Sequence, residues 1–247
     1  MSEEKKDSAV AENVKTVVYA VLIALFVRTF FIEPFSIPSG SMIPTLLVGD
    51  YLFVSKYTYG YSRHSFPRSM PLFKGRIFYT EPKRGDVIVF KVVNDGNKDY
   101  IKRLIGLPGD RIQVKKGRLY INGELVKRKA VGEVVMRSAN GSAIHSKHYI
   151  ETLPEGKEHP IYEMSDDAMF DNTEEFKVPE GHFFMMGDNR DNSSDSRSTV
   201  VGYVPYEALI GKARFIFFSR DDDACEYWEI WKWPMAVRWS RIFDKIK

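Results

Sequence analysis

Apolar and polar positions change rhythm twice along this chain. From Val17 to Val27 almost every residue is apolar, and the run resumes at Phe30, Phe31 and Ile32 after Arg28 and Thr29. Val17 to Ile32 would span about 24 Å as a helix, against a hydrocarbon core of roughly 30 Å. Flanking residues Asn13 to Thr16 and a snorkelling Arg28 close the gap. The pattern predicts one uncleaved transmembrane anchor over residues 16–33, preceded by a cytoplasmic segment, 1–15. A cleavable signal peptide is the competing reading, since Val17 to Val27 has the length of such a core. However, the first small-x-small pair after it, Ser39 and Ser41, lies too far downstream. Lys5, Lys6 and Lys15 precede the span and Arg28 follows it, so the charge bias leans toward a cytoplasmic N-terminus and an extracytoplasmic body after Phe35.

Beyond Pro34 the period shortens to that of strands. Tyr51–Val54, Arg76–Tyr79, Asp86–Val93, Tyr100–Ile105, His182–Met186 and Lys212–Phe218 are rich in β-branched and aromatic residues and are bounded by Gly, Pro, Asn and Asp. Val87 to Phe90 is continuously apolar, as a strand buried on both faces should be. Arg111–Val114 and Arg118–Ile121 read as a hairpin, with Asn122-Gly123 as the next turn. No long amphipathic helix interrupts the body. The expected architecture for residues 34–247 is therefore mostly β, in antiparallel sheets. Residues 126–179 are polar and read as an inserted subdomain. All four tryptophans fall between Trp228 and Trp239, mixed with Lys232, Arg238 and Arg241. Such rings suit a membrane–water interface or packing beneath the sheet, and both readings stay open.

Composition narrows the function. A net charge of +3 is too small for a nucleic-acid binder, and Lys127-Arg128-Lys129 reads as a solvated turn. A single cysteine, Cys225, excludes an internal disulfide, and its acidic neighbours discourage a thiolate.

The candidate chemistry centres on Ser41, in Pro38-Ser39-Gly40-Ser41-Met42-Ile43-Pro44 just after the apolar segment. A serine needs a base to become a nucleophile. None of His64, His145, His148, His159 and His182 sits in a recognisable hydrolase or zinc motif, although a histidine base is not excluded by sequence. Lys102, in Tyr100-Ile101-Lys102-Arg103-Leu104-Ile105, is the alternative. Period-two alternation puts it on the face of Tyr100 and Leu104, and if that face is inward its ammonium loses water and its pKa falls, with Arg103 assisting if close. A third segment, Gly187 to Arg197, carries a density of turn formers and internal Asp–Arg pairs. Asp188, Asp191 and Asp195 raise the idea of a calcium loop, but the spacing is wrong and Arg190 and Arg197 oppose it.

Ser36 to Met42, Arg84 to Val87, Tyr100 to Arg103, Gly187 to Arg197 and Trp233 to Ile242, in this order, resemble the bacterial type I signal peptidases. These leader peptidases are membrane-bound serine proteases that remove signal peptides. The resemblance implies an endopeptidase with Ser41 as nucleophile and Lys102 as general base. It places Ser193 as the hydrogen-bond partner that orients Lys102, and the Ser39 hydroxyl with the Ser41 backbone N–H as the oxyanion hole. Asp195 and Arg197 brace the loop, and Phe35, Ile37 and Ile101 line pockets for small side chains, giving an Ala-x-Ala preference. It implies no metal or cofactor. Preproteins, membrane lipid and the secretion translocon are the expected partners, at the outer face of the cytoplasmic (inner) membrane. A dedicated peptidase of a conjugation or pilus system, or an organellar relative, would share this chemistry. A non-catalytic β domain that binds extended peptides at its sheet edge is the rival of another class.

Overall fold

The apolar run forms one helix, α1 (Ser2–Phe30). Within this computed structural model, which describes residues 2–66, 69–70, 73–137, 143–221, 224 and 228–247, α1 is the only described helix long and apolar enough to cross a membrane. Its apolar part, Glu12–Phe30, has 19 residues and a mean hydropathy of 1.5. At 1.5 Å per residue that part is about 28 Å long. The helix stops three residues short of the predicted boundary at 33. Pro34 disfavours helical backbone at Glu33, and residues from Ile32 onward are taken up by a strand.

That strand, β1 (Ile32–Ser36), is the edge of a seven-stranded sheet. The others, in chain order, are β2 (Asp50–Ser55), β3 (Val87–Val92), β4 (Lys98–Gly106), β5 (His182–Met186), β6 (Val204–Pro205) and β7 (Leu209–Ser219). Their spatial order is β1-β2-β7-β3-β4-β5-β6, with every pairing antiparallel. Val87 to Phe90 are buried on both faces, as their unbroken hydropathy predicts. One face packs Ile88, Phe90, Leu104 and Phe183 together, and the other packs Ile37, Met42, Leu52 and Val89. Pro34 is tolerated because an edge strand can spare an N–H.

One feature of register shapes the site. β3 pairs with β4 along its whole length, from Val87↔Arg103 to Val92↔Lys98. β5 pairs only with the far half of β4, ending at Met186↔Arg103. The Lys98–Lys102 half of β4 therefore has no described strand on that side.

Residues 126–179 contain strands that sequence patterning missed. Lys127–Arg137, Ala143–Thr152 and Glu158–Glu163 form a separate three-stranded sheet. Phe176–Lys177 instead pairs with the first strand of the Arg111–Ile121 hairpin. The three-stranded sheet escaped notice because much of what it buries is polar: Ser146, Glu151, His159 and Glu163 are all buried. Arg76–Tyr79 is shorter than predicted, since the strand ends at Ile77 and Phe78 takes a positive φ of 53°. At the C-terminal end Trp228, Trp231 and Trp239 are each at least 66% exposed, so these rings do not pack beneath the sheet. Cys225 and Tyr227 lie outside the described residues.

The two sheets meet in a buried polar network. Arg103 grips Asp188 with Nε at 2.8 Å and Nη2 at 2.7 Å, and both side chains are almost wholly buried. Arg103 Nη1 also donates to the Gly85 carbonyl, which a positive φ of 82° turns toward it. On the other side Arg190 donates to both oxygens of Glu151, and His159 Nε2 lies 3.3 Å from Glu151 and 4.0 Å from Asp188. Breaking one half of a buried pair leaves a charge without solvent or partner, which costs about 3–5 kcal/mol. Asp188→Leu should therefore lose that much in denaturant unfolding. The Asp188→Leu/Arg103→Met double variant should recover at least half, because no orphaned charge remains. Additive losses would show that the pair is not the source of the stability.

Candidate active site

Ser41 lies in a single 3₁₀ turn, Gly40–Met42, immediately after β1. Met42 and Leu46 are fully buried and fix the turn to the sheet from below. From the other side Asn189 holds its backbone: Asn189 N donates to the Ser41 carbonyl at 3.1 Å and Nδ2 to the Gly40 carbonyl at 3.0 Å. The turn is gripped by core packing below and a loop above.

Lys102 Nζ donates to Ser41 Oγ at 2.6 Å. Its side chain lies on the face predicted from Tyr100 and Leu104, is only 3% exposed, and passes over the Tyr100 ring at 5.5 Å. Burial is the main cause that lowers the Lys102 pKa from 10.5 to about 8. Asp195 and Asp188 oppose that fall and Arg197 assists it. Arg103, which would assist only if close, is turned away into its pair with Asp188, because neighbouring strand residues face opposite sides.

The remaining sequence candidates fall around this pair. Ser39 Oγ is 3.5 Å from Ser41 Oγ, at the limit of a hydrogen bond. Asp195 and Arg197 form a buried two-point pair, at 2.8 and 2.9 Å, and Asp195 Oδ2 accepts from the Gly187 N–H. Asp188 and Arg190 pair outside the loop, with Arg103 and Glu151. The bond expected from Ser193 to Lys102 is not made. Ser193 Oγ is buried and faces the Asp195 carboxylate instead, helping to lower its pKa, and the second acceptor for Lys102 Nζ is the Ile101 carbonyl at 3.0 Å. Asp188, Asp191 and Asp195 do not converge on a common point as a calcium loop requires. Asp188 faces Arg103, Asp195 faces Arg197, and Asp191 accepts from the Met164 and Ser165 N–H groups. No histidine bonds to Ser41 among the described residues: His64 meets Ser69, His182 meets the Glu180 carbonyl, and His159 lies by Glu151.

A cleft of about 700 Å³ opens beside Ser41 and Lys102, between the β1 segment and the uncovered half of β4. Phe35, Ile37 and Ile101 line it, with Tyr100, Asn192 and Ser194. Two polar contributors were missed by sequence. Glu151 and His159 reach the Gly187–Arg197 loop from the separate sheet, and no local motif marks them. A neutral amine in contact with a hydroxyl, at the floor of a cleft bordered by two strand edges, can accept the proton of an attacking serine.

Comparison with known proteins gives the same class. Residues 10–218 match the family described as "Signal peptidase, peptidase S26". The signal peptidase I of Rickettsia typhi is 42% identical over 258 aligned positions, which cover 98% of this chain and 96% of that protein. The signal peptidase I of Rickettsia conorii is 44% identical over 244 positions, 92% and 90% of the two chains. A crystal structure of a signal peptidase I from Enterococcus faecalis V583 is similar at 25% identity, over 54% of this chain and 97% of that one. Its TM-score of 0.31 is too low to carry weight.

Two outcomes follow from the geometry. The fall in the Lys102 pKa from 10.5 to about 8 corresponds to about 3 kcal/mol of disfavoured charge. The unfolded chain binds this proton more readily, so stability is reduced below pH 8 and recovers as pH rises toward 10.5. Lys102→Met should thus be as stable as the parent or up to about 3 kcal/mol more stable at pH 7, with the gain shrinking above pH 8 in unfolding titrations. At Gly187 an added Cβ would lie 2.2 Å from Ser193 Oγ and 2.5 Å from the Ser41 carbonyl. Gly187→Ala should cost about 1–3 kcal/mol. It should also slow labelling of Ser41 by a serine-directed acylating reagent at least tenfold while the circular dichroism stays native.

Proposed function

This chain belongs to the signal peptidases of family S26, serine peptidases that remove signal peptides, and from that membership we propose how and where it cuts. Ser41 Oγ is the nucleophile and Lys102 Nζ, in its neutral form, the general base. The contact of 2.6 Å between these atoms, with the amine buried, carries the proposal. The amine takes the hydroxyl proton as Oγ attacks the carbonyl of the scissile bond, and returns it to the departing nitrogen when the acyl-enzyme forms. Water then enters by the same route and releases the acyl group. The Ser39 hydroxyl and the Ser41 N–H serve the oxyanion, for which one donor is worth about 3 kcal/mol.

The preprotein lies extended in the cleft, paired with the exposed edges of β1 and β4 as an added strand. Ile37, Phe35 and Ile101 offer shallow apolar walls that exclude large side chains, which supports an Ala-x-Ala preference. Asp195 and Arg197 brace the loop behind Lys102. Ser193 gives the ammonium an acceptor once the proton has been taken, a role that the burial of its hydroxyl beside Asp195 supports.

The chain is a single-pass protein of the cytoplasmic (inner) membrane, anchored by α1, with residues 34–247 on the extracytoplasmic side. Lipid surrounds α1 and meets the exposed tryptophans, and substrates arrive from the translocon. The exposure of α1 from Glu12 to Arg28 supports this placement, with only its end at Phe30 packed on the body, against Tyr61 and Phe66.

Ser41→Ala and Lys102→Met should each abolish cleavage of a signal-peptide-bearing precursor in detergent. Because only the unprotonated amine can act, kcat/KM should rise about fivefold from pH 7 to pH 8 and level off above about pH 9. A flat profile between pH 6 and 9, or turnover by folded Lys102→Met, would overturn Lys102 as the base.

A further inference from the structure

A second cavity of about 350 Å³ continues the cleft toward the end of α1. The two share Phe35 and Asp99. Strand alternation sets what an extended substrate meets as it passes from one to the other. From Ile37, just past β1, back along the strand the inward positions run Ile37, Phe35, Glu33, receding from Ser41 in steps of two residues. On the neighbouring strands Val89 pairs with Ile101, and two residues further on Lys91 pairs with Asp99. The floor therefore changes from apolar to charged in one strand step.

The charges do not balance. Lys91 meets Asp99 at 2.8 Å, and Glu33 is shared by Lys56 and Arg28, each at 2.9 Å. Three cations face two carboxylates. Lys56 is buried and serves as the permanent partner of Glu33, while the Arg28 side chain is 61% exposed and stands at the mouth as the surplus charge. His64, also on the wall, adds no charge: its Nε2 accepts from Arg63, and burial, with that guanidinium, keeps the ring neutral.

We infer that this cavity is an upstream substrate subsite, which receives the fifth residue before the cut and favours an acidic or neutral polar side chain over a basic one. The register gives the count. If Ile37 flanks the residue at the cut, Phe35 flanks the third and Glu33 the fifth, because two extended strands advance together at about 7 Å per two residues. The inference rests on the proposed function and adds to it a selectivity at a position beyond the small-residue pockets.

The test uses the full chain in detergent and three peptides that differ only in Glu, Gln or Lys at the fifth position before the cut. The expected order of kcat/KM is Glu, Gln, Lys, with about fivefold between the extremes. The Arg28→Gln/Lys91→Gln double variant changes the local balance from +1 to −1 and should reverse that order. A spread below twofold in the parent, or an unchanged order in the double variant, overturns the subsite while leaving the peptidase reading intact. Failure to cut any of the three by folded protein overturns the function and the subsite together. Equal cutting of the peptides, with stimulation by phosphatidylglycerol vesicles that the double variant loses, assigns the cavity to a lipid phosphate instead and also overturns the inference.

Discussion

An amine held out of water beside a hydroxyl is costly to fold, and much of the surrounding structure makes that arrangement tolerable. Lys102 keeps its lowered pKa only while nearby carboxylates do not hold a proton on it. Asp188 and Asp195 both pull in that direction, yet each is clasped at two points by its own arginine, Arg103 and Arg197. The arginines thus have a second effect besides stabilising the fold. They spend the field of the two carboxylates locally, so that burial dominates at the amine.

The same economy explains why the Gly187–Arg197 loop touches so many elements. It supplies Asp188 and Asp195 to the buried pairs, Asn189 to the Ser41 and Gly40 carbonyls, and Arg190 to Glu151 on the separate sheet. Gly187 lets Ser193 and the Ser41 carbonyl approach closer than any side chain would permit. Its loop is irregular in backbone but anchored at several points, by the Arg103–Asp188, Arg197–Asp195 and Arg190–Glu151 pairs and by the two Asn189 hydrogen bonds. The separate three-stranded sheet is joined to the reactive centre through that loop, by the Glu151–Arg190 pair and by a backbone bridge in which the Tyr162 N–H donates to the Asp188 carbonyl.

Much of this was legible. The strands with strong alternation or continuous hydropathy, such as Val87–Phe90 and His182–Met186, appear where hydropathy places them, and the Lys102 face follows from period two alone. The errors have specific causes. Lys127 to Val135 look polar because none of them is buried, and Ala143–Thr152 because what it buries, Ser146 and Glu151, is polar and hydropathy counts it as exposed. The end of α1 was placed late because Phe31 and Ile32 are as apolar in a strand as in a membrane. Whether Arg103 comes close enough to act on Lys102 is not legible from adjacency in sequence, and it does not, because adjacent residues of a strand point apart. The Ser193 bond, taken from resemblance, is not present.

Composition and order along the chain were enough to establish an apolar helix, a mostly antiparallel β body, and the membership of Ser41 and Lys102 in recognisable segments. These properties are local, because hydropathy, turn residues and motif spacing are written within a few positions of one another. Only the tertiary structure decided that the pairing of β5 with β4 ends at Met186 opposite Arg103, that Ser41 and Lys102 touch, and that Glu151 reaches Arg190 from another sheet. Each of those outcomes depends on pairing between segments tens of residues apart. The free energy of such pairing is set by which charges lose water together, and no window of sequence contains that information.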